Sequence, residues 1–153
     1  MFQYDSLTPL TRIALGLGLL LVSPMLFAQQ AAVFSEAGLA IRGYDPVAYF
    51  VLGEATPGVA EYEADWNGAV WRFASAEHRD RFLADPEDYA PQYGGYCAWA
   101  VSRGYTASID PNAWTIHGGA LYLNYNQSVH RRWGRDITGN IARAEAHWPG
   151  VLD

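Results

Sequence analysis

The residue with the most chemistry to offer in this sequence is Cys97, the single cysteine, set in the run YGGYCAWAVSRGY at residues 93–105. A lone thiol has three uses: soft metal ligand, nucleophile or redox group, or small apolar side chain in a core. The Gly94-Gly95 pair just ahead of it allows another backbone, a ligand or an ion to approach closely. Tyr44, Tyr49, Tyr93 and Tyr96 are not absorbed by the periodic elements described below, and they can line a pocket around Cys97 or simply fill the core. The acids form no obvious catalytic pair. Asp45, Asp85 and Asp110 each precede a proline, where capping and turn roles are the default. No phosphate-binding glycine loop, nucleophile elbow or two-histidine helix motif is present.

Several elements must position these groups. Asp45-Pro46 reads as cap and first residue of a short helical turn ending near Gly53. Residues 59–74, VAEYEADWNGAVWRFA, read as a hairpin turning at Asn67-Gly68, a pair suited to a two-residue turn. That register sets Trp66 opposite Ala69, Ala64 opposite Trp71 and Tyr62 opposite Phe73, all on one face. Ser75 caps a helix running to about Ala84, and Asp85-Pro86 opens a further short turn. Residues 96–102 alternate as a strand, with Cys97, Trp99 and Val101 on one side. A second hairpin turns at Gly118-Gly119, its apolar face made by Trp114, Ile116, Leu121 and Leu123 and its other face by Thr115, His117, Ala120, Tyr122 and Asn124. A long amphipathic helix over about 127–147 carries Val129, Trp133, Ile137, Ile141 and Ala144, with Trp148 just beyond, at three- and four-residue spacing. Gly139 weakens its middle. His117, at a hairpin tip, and His130 and His147, on that helix, read as solvent-facing or packing residues. The expected class is α+β: a small antiparallel sheet of two hairpins and a central strand, with short helices and the long C-terminal helix.

Composition bounds the rest. The chain has 153 residues, half of them hydrophobic and 14% aromatic, enough for one domain with a packed core. The formal net charge is -6, every basic residue is arginine, and no basic run exceeds Arg131-Arg132, which argues against nucleic acid as a partner. Residues 13–27, IALGLGLLLVSPMLF, follow Arg12 and precede Ala28, and are too short and too broken by Pro24 for a membrane span. They read as a secretory signal over 1–28, with an uncleaved anchor as the alternative. Residues 29–38 read as a lead-in and 39–153 as the domain. The expected location is periplasmic or secreted. There, a single cysteine cannot form an internal disulfide, so the thiol is buried, metal-bound, reactive or paired with another molecule.

The stretches GYDPVAYF (43–50), WRFASAEHRDRFLADPEDYAPQYGGYCAWAVSRGY (71–105), DPNAWTI (110–116), LYLNYN (121–126) and WGRDITGNIARAEAHWP (133–149) together resemble the YHS domain family, in particular its exported bacterial (seleno)protein branch. The resemblance spans about residues 39–152. It implies heavy-metal binding, copper above all, through three cysteines whose positions fall here on Ala48, Ala74 and His78. Alanine has no donor atom, so two of those ligands are missing. The branch implies instead a reactive chalcogen at Cys97, and it gives Asp45, a residue of the family's motif, a claim beyond capping. His78 is then either an ordinary helix residue or an imidazole replacing a thiolate and paired with Cys97. Such a pair is too small for structural zinc but suits low-coordinate copper(I).

Three functions follow as expectations. The first is soft-metal binding or handling, of copper or zinc, centred on Cys97 with His78, beside a metal-transport protein. The second is a thiol redox enzyme using Cys97 with a small thiol, a peroxide or a redox protein as partner. The third is an interaction module whose ligand chemistry has been lost.

Overall fold

The computed structural model describes residues 29–153; the expected signal segment lies outside them. Its class is α+β. Strands β1 (Ser35–Glu36), β2 (Leu39–Ala40), β3 (Val59–Trp66) and β4 (Ala69–Phe73) form one sheet in the order β1-β2-β4-β3, and β5 (Asp110–His117) pairs with β6 (Ala120–Asn124) in a second. The helices are α1 (Ala48–Val51), α2 (Ala76–Ala84), α3 (Pro86–Tyr89), α4 (Ala98–Val101), α5 (Gln127–Trp133) and α6 (Ile137–His147). Among the described residues no helix is long and apolar enough to cross a membrane.

Both hairpins form where turn chemistry demands. Asn67 and Gly68 have φ of 49° and 80°, and Gly118 and Gly119 have 59° and 80°, the left-handed pairs that match strand twist. Trp66 faces Ala69 and Ala64 faces Trp71, as the alternation requires. Tyr62 does not pair with Phe73, however. A bulge between Val59 and Glu63 sets Phe73 opposite Val59, because the start of the strand is drawn over to Gly43 and Tyr44 by the Gly58 N–H to Gly43 carbonyl bond and the Tyr44–Pro57 bridge. The aromatic face survives, with Trp66, Trp71 and Phe73 all against Phe82 of α2 at 5.1–5.6 Å between ring centroids.

Three other expectations need correction. The main sheet is mixed, since β2 lies parallel to β4. There is no central strand at 96–102: Val101 N–H bonds the Cys97 carbonyl and Ser102 N–H the Ala98 carbonyl, both at 3.0 Å, making α4 helical with Cys97 at its N-cap. The alternation there was uninformative because the residues at 97, 98, 100 and 101 are all buried, so a polar side never existed to fix the period. The C-terminal helical stretch keeps its expected span but is interrupted at Gly134–Asp136, while Gly139, expected to weaken its middle, lies inside α6. Asp136 has φ −151° and caps α6 by accepting the Gly139 N–H at 3.0 Å; a β-carbon at Gly139 would collide with that carboxylate. Trp133 and Ala144 of the apolar stripe are fully buried.

The lead-in belongs to the packed domain. Val33 and Phe34 are core residues, Phe34 N–H bonds the Gly94 carbonyl, and Gln30 N–H bonds the Leu152 carbonyl. Tyr122 and Asn124, expected on the face of the second hairpin opposite its apolar one, are buried too, because the turn at 92–95, α4 and α5 all pack against β6.

Candidate functional site

The expected site residues fall into two separate groups. The first is built on Asp45. One carboxylate oxygen caps α1, accepting the N–H groups of Val47 at 2.8 Å and Ala48 at 3.2 Å. The other reaches across to the start of α2, accepting the Ala74 N–H at 2.8 Å and lying 2.5 Å from His78 Nδ1. Asp45 is wholly buried. His78 is fixed from its backbone as well, since Ser75 caps α2 through the His78 N–H at 3.1 Å. Facing Asp45, the His78 ring presents Nδ1 to the carboxylate as donor, which commits that nitrogen to the pair. Tyr49 stands beside this group, its hydroxyl donating to the Pro111 carbonyl at 2.8 Å and its ring edge-on to Trp114. Burial, and then Tyr44, Asp110 and Asp45, push its phenol far above the ordinary value, so it stays a neutral donor.

Positions 48, 74 and 78 thus do converge, and they converge on Asp45. The soft-metal site implied by the YHS resemblance does not fit the side chains found there. Ala48 and Ala74 offer only methyl groups, Asp45 is engaged at both oxygens, and one nitrogen of His78 is spent on Asp45. Among the described residues no group of three or more His, Cys, Asp or Glu side chains is placed to hold a metal ion.

The second group is built on Cys97. Its N–H bonds the Ala107 carbonyl at 3.1 Å, its side chain has no exposed surface, and its Sγ lies 3.8 Å from Asn124 Oδ1. That same oxygen accepts the Trp99 N–H at 3.1 Å, which fixes the amide's orientation and leaves Asn124 Nδ2 buried without a partner. Burial pushes the thiol above its ordinary value, with backbone N–H groups of Ala100, Tyr125 and Trp99 offsetting part of the shift. Cys97 is therefore a protonated thiol at neutral pH, which is the weak form for nucleophilic attack. Alkylation by iodoacetamide is expected to be slow on the native protein, to keep accelerating at pH values where a free thiol has levelled off, and to be complete within minutes in denaturant; rapid native labelling near neutrality would show an exposed thiolate.

His78 and Cys97 are not brought together: His78 is bonded to Asp45, while Asn124 is the polar side chain beside Cys97. The expected tyrosine pocket also divides. Tyr44 and Tyr49 stand with Asp45. Tyr93 and Tyr96 pack on Trp148 at 6.0 and 6.4 Å, and the Tyr96 hydroxyl donates to the Ala31 carbonyl at 2.8 Å. Burial raises both phenols, Tyr122 and Glu145 adding to the shift at Tyr93. Gly94 and Gly95 do permit a close approach, and what approaches is the chain itself: Gly94 meets the Ala32 backbone and Gly95 meets the Ile41 side chain. His117 is exposed, whereas His130 Nε2 lies 2.7 Å from Thr115 Oγ1.

What surrounds Cys97 is a different set. Cys97, Trp99, Ala100, Tyr105, Ala107, Tyr125, Val129 and Arg132 line an open cleft of about 320 Å³. Asn124, Tyr105, Tyr125 and Arg132 had no signal in the sequence, because each sits at the end of an element or on the exposed face of a helix and meets Cys97 only through the fold. Comparison with family models, with curated proteins and with solved structures finds no match to this chain.

Proposed function

We propose that this chain is an exported, non-catalytic binding module of the YHS type, in which a structural Asp45–His78 knot stands where the family holds its metal and ligand binding has moved to the Cys97 cleft. The observation that carries this reading is the Asp45 carboxylate, which accepts from Ala48 and Ala74 and meets the His78 ring. Those are the three positions at which the resemblance places cysteines. A redox enzyme is less well supported, since burial holds Cys97 as a thiol and the side chain its Sγ meets is the Asn124 amide, which cannot take its proton.

The soft-metal reading retains one support: Cys97 lies in the lining of a cleft, although its side chain is covered, so a thiophilic ion would reach the sulfur only after the lining shifts. On that reading an external small thiol must complete the coordination, because a single thiolate is short even of two-coordinate copper(I). Native mass spectrometry after incubation with copper(I) or zinc and desalting separates the two. The expected result is no stoichiometric metal; one equivalent of copper that disappears in Cys97→Ala would overturn the binding-module reading in favour of metal handling.

A further inference from the structure

We infer that the cleft beside Cys97 binds a small aromatic carboxylate, its ring held among Trp99, Tyr105 and Tyr125 and its anionic group by Arg132. This inference deepens the binding-module reading and rests on it. The cleft volume of about 320 Å³ lies at the lower end of the range for small-molecule sites, which suits a single substituted ring rather than a cofactor or a peptide.

The walls specify the ligand's body. Tyr105 and Tyr125 both line the cleft and are each 51% exposed, a high value for aromatic side chains, and Trp99, also in the lining, is half-buried against the core. Flat aromatic walls favour a flat aromatic guest through offset and edge-on packing. Trp99 is also held in place, since the Arg103 guanidinium lies 4.1 Å from its ring centroid, and its backbone N–H is tied to Asn124. Cys97, Ala100, Ala107 and Val129 complete an apolar floor.

Charge specifies the ligand's head. The protein carries 16 acidic residues against 10 basic ones, yet the residues lining the cleft include one arginine and no acid. Neither Arg132 nor Arg103 forms an ion pair among the described residues, and Asp136, whose carboxylate feels the Arg103 charge, is bonded to Arg143 at 3.0 Å. An exposed guanidinium without an ion-pair partner in the lining of an aromatic cleft is complementary to a carboxylate, which it can meet with two parallel N–H donors.

The test is an NMR titration of the protein with benzoate, benzyl alcohol and acetate as probes. Benzoate is expected to shift the Trp99 indole and the backbone signals of residues 97–107 and 125–132 saturably, and to bind more tightly than benzyl alcohol or acetate. Arg132→Met, an exposed substitution, should weaken benzoate about tenfold, the loss of one charge-assisted contact, and leave benzyl alcohol unchanged. Benzyl alcohol binding as tightly as benzoate would overturn the carboxylate assignment while leaving the cleft as a binding site. No saturable shift with any of the three probes would overturn both the ligand class and the binding-module reading.

Discussion

Replacing Asp45 by alanine is expected to lower the unfolding free energy by roughly 3–5 kcal/mol, the range for removing the acceptor from a buried, multiply bonded polar group. The carboxylate has no exposed surface, so its partners gain no water without local rearrangement when it is removed. The N–H groups of Val47, Ala48 and Ala74 and the His78 ring would all lose their acceptor at once. The four losses overlap and do not add in full, because α1 and the start of α2 can draw apart to admit solvent. Asp45→Asn is the informative companion. It keeps an oxygen for the α1 cap but turns an NH₂ group toward the Ala74 N–H and His78, or the reverse if it flips, so its cost should fall between wild type and alanine. Urea denaturation with the slope compared across variants gives the measurement. If Asp45 served a ligand rather than the fold, Asp45→Ala would leave the urea midpoint nearly unchanged, and the knot would cease to explain why positions 48, 74 and 78 meet.

This carboxylate also shows how far the sequence could be read. Its capping role was visible, because Asp45-Pro46 is a local signal acting over two or three residues. Its second oxygen works across 29 residues to Ala74 and 33 to His78, and no local pattern encodes such a contact. The same division runs through the fold. The two hairpin turns were legible from Asn67-Gly68 and Gly118-Gly119, since positive φ is a property of those residues themselves. The helix at 98–101 was not, since alternation identifies a strand only where one face meets water, and the residues at 97, 98, 100 and 101 are buried alike. The candidate site was legible to the extent that Cys97 lines a cleft. Its partners were not: the imidazole and tyrosines expected there belong to other clusters, and Tyr105, Tyr125 and Arg132 arrive from the ends of α4, β6 and α5.

The second large effect is expected at Gly94, where alanine should destabilise the protein by about 2–4 kcal/mol, more than a glycine-to-alanine change in ordinary backbone. Two costs coincide. Gly94 has φ of 61°, a left-handed conformation that costs an L-residue roughly 1–2 kcal/mol. Its missing β-carbon is also the space occupied by the Ala32 carbonyl, and Gly94 itself accepts the Phe34 N–H at 2.9 Å. Backbone cannot step aside as a flexible side chain can, so the segment carrying Val33 and Phe34 must lift from the core. Both residues are buried, at 2% and 8% exposure, and Tyr96 loses its Ala31 partner as the segment moves. Hydrogen exchange therefore gives a sharper readout than stability alone. In Gly94→Ala the amides of Phe34 and Ile41 should lose protection well before those of β3 and β4, whose hairpin is bonded within itself. Uniform loss of protection across the domain would mean that residues 31–34 are integral to one cooperative unit. Unchanged protection at Phe34 would mean that the close approach at Gly94 is not what holds this segment down, and the pair of glycines ahead of Cys97 would need another explanation.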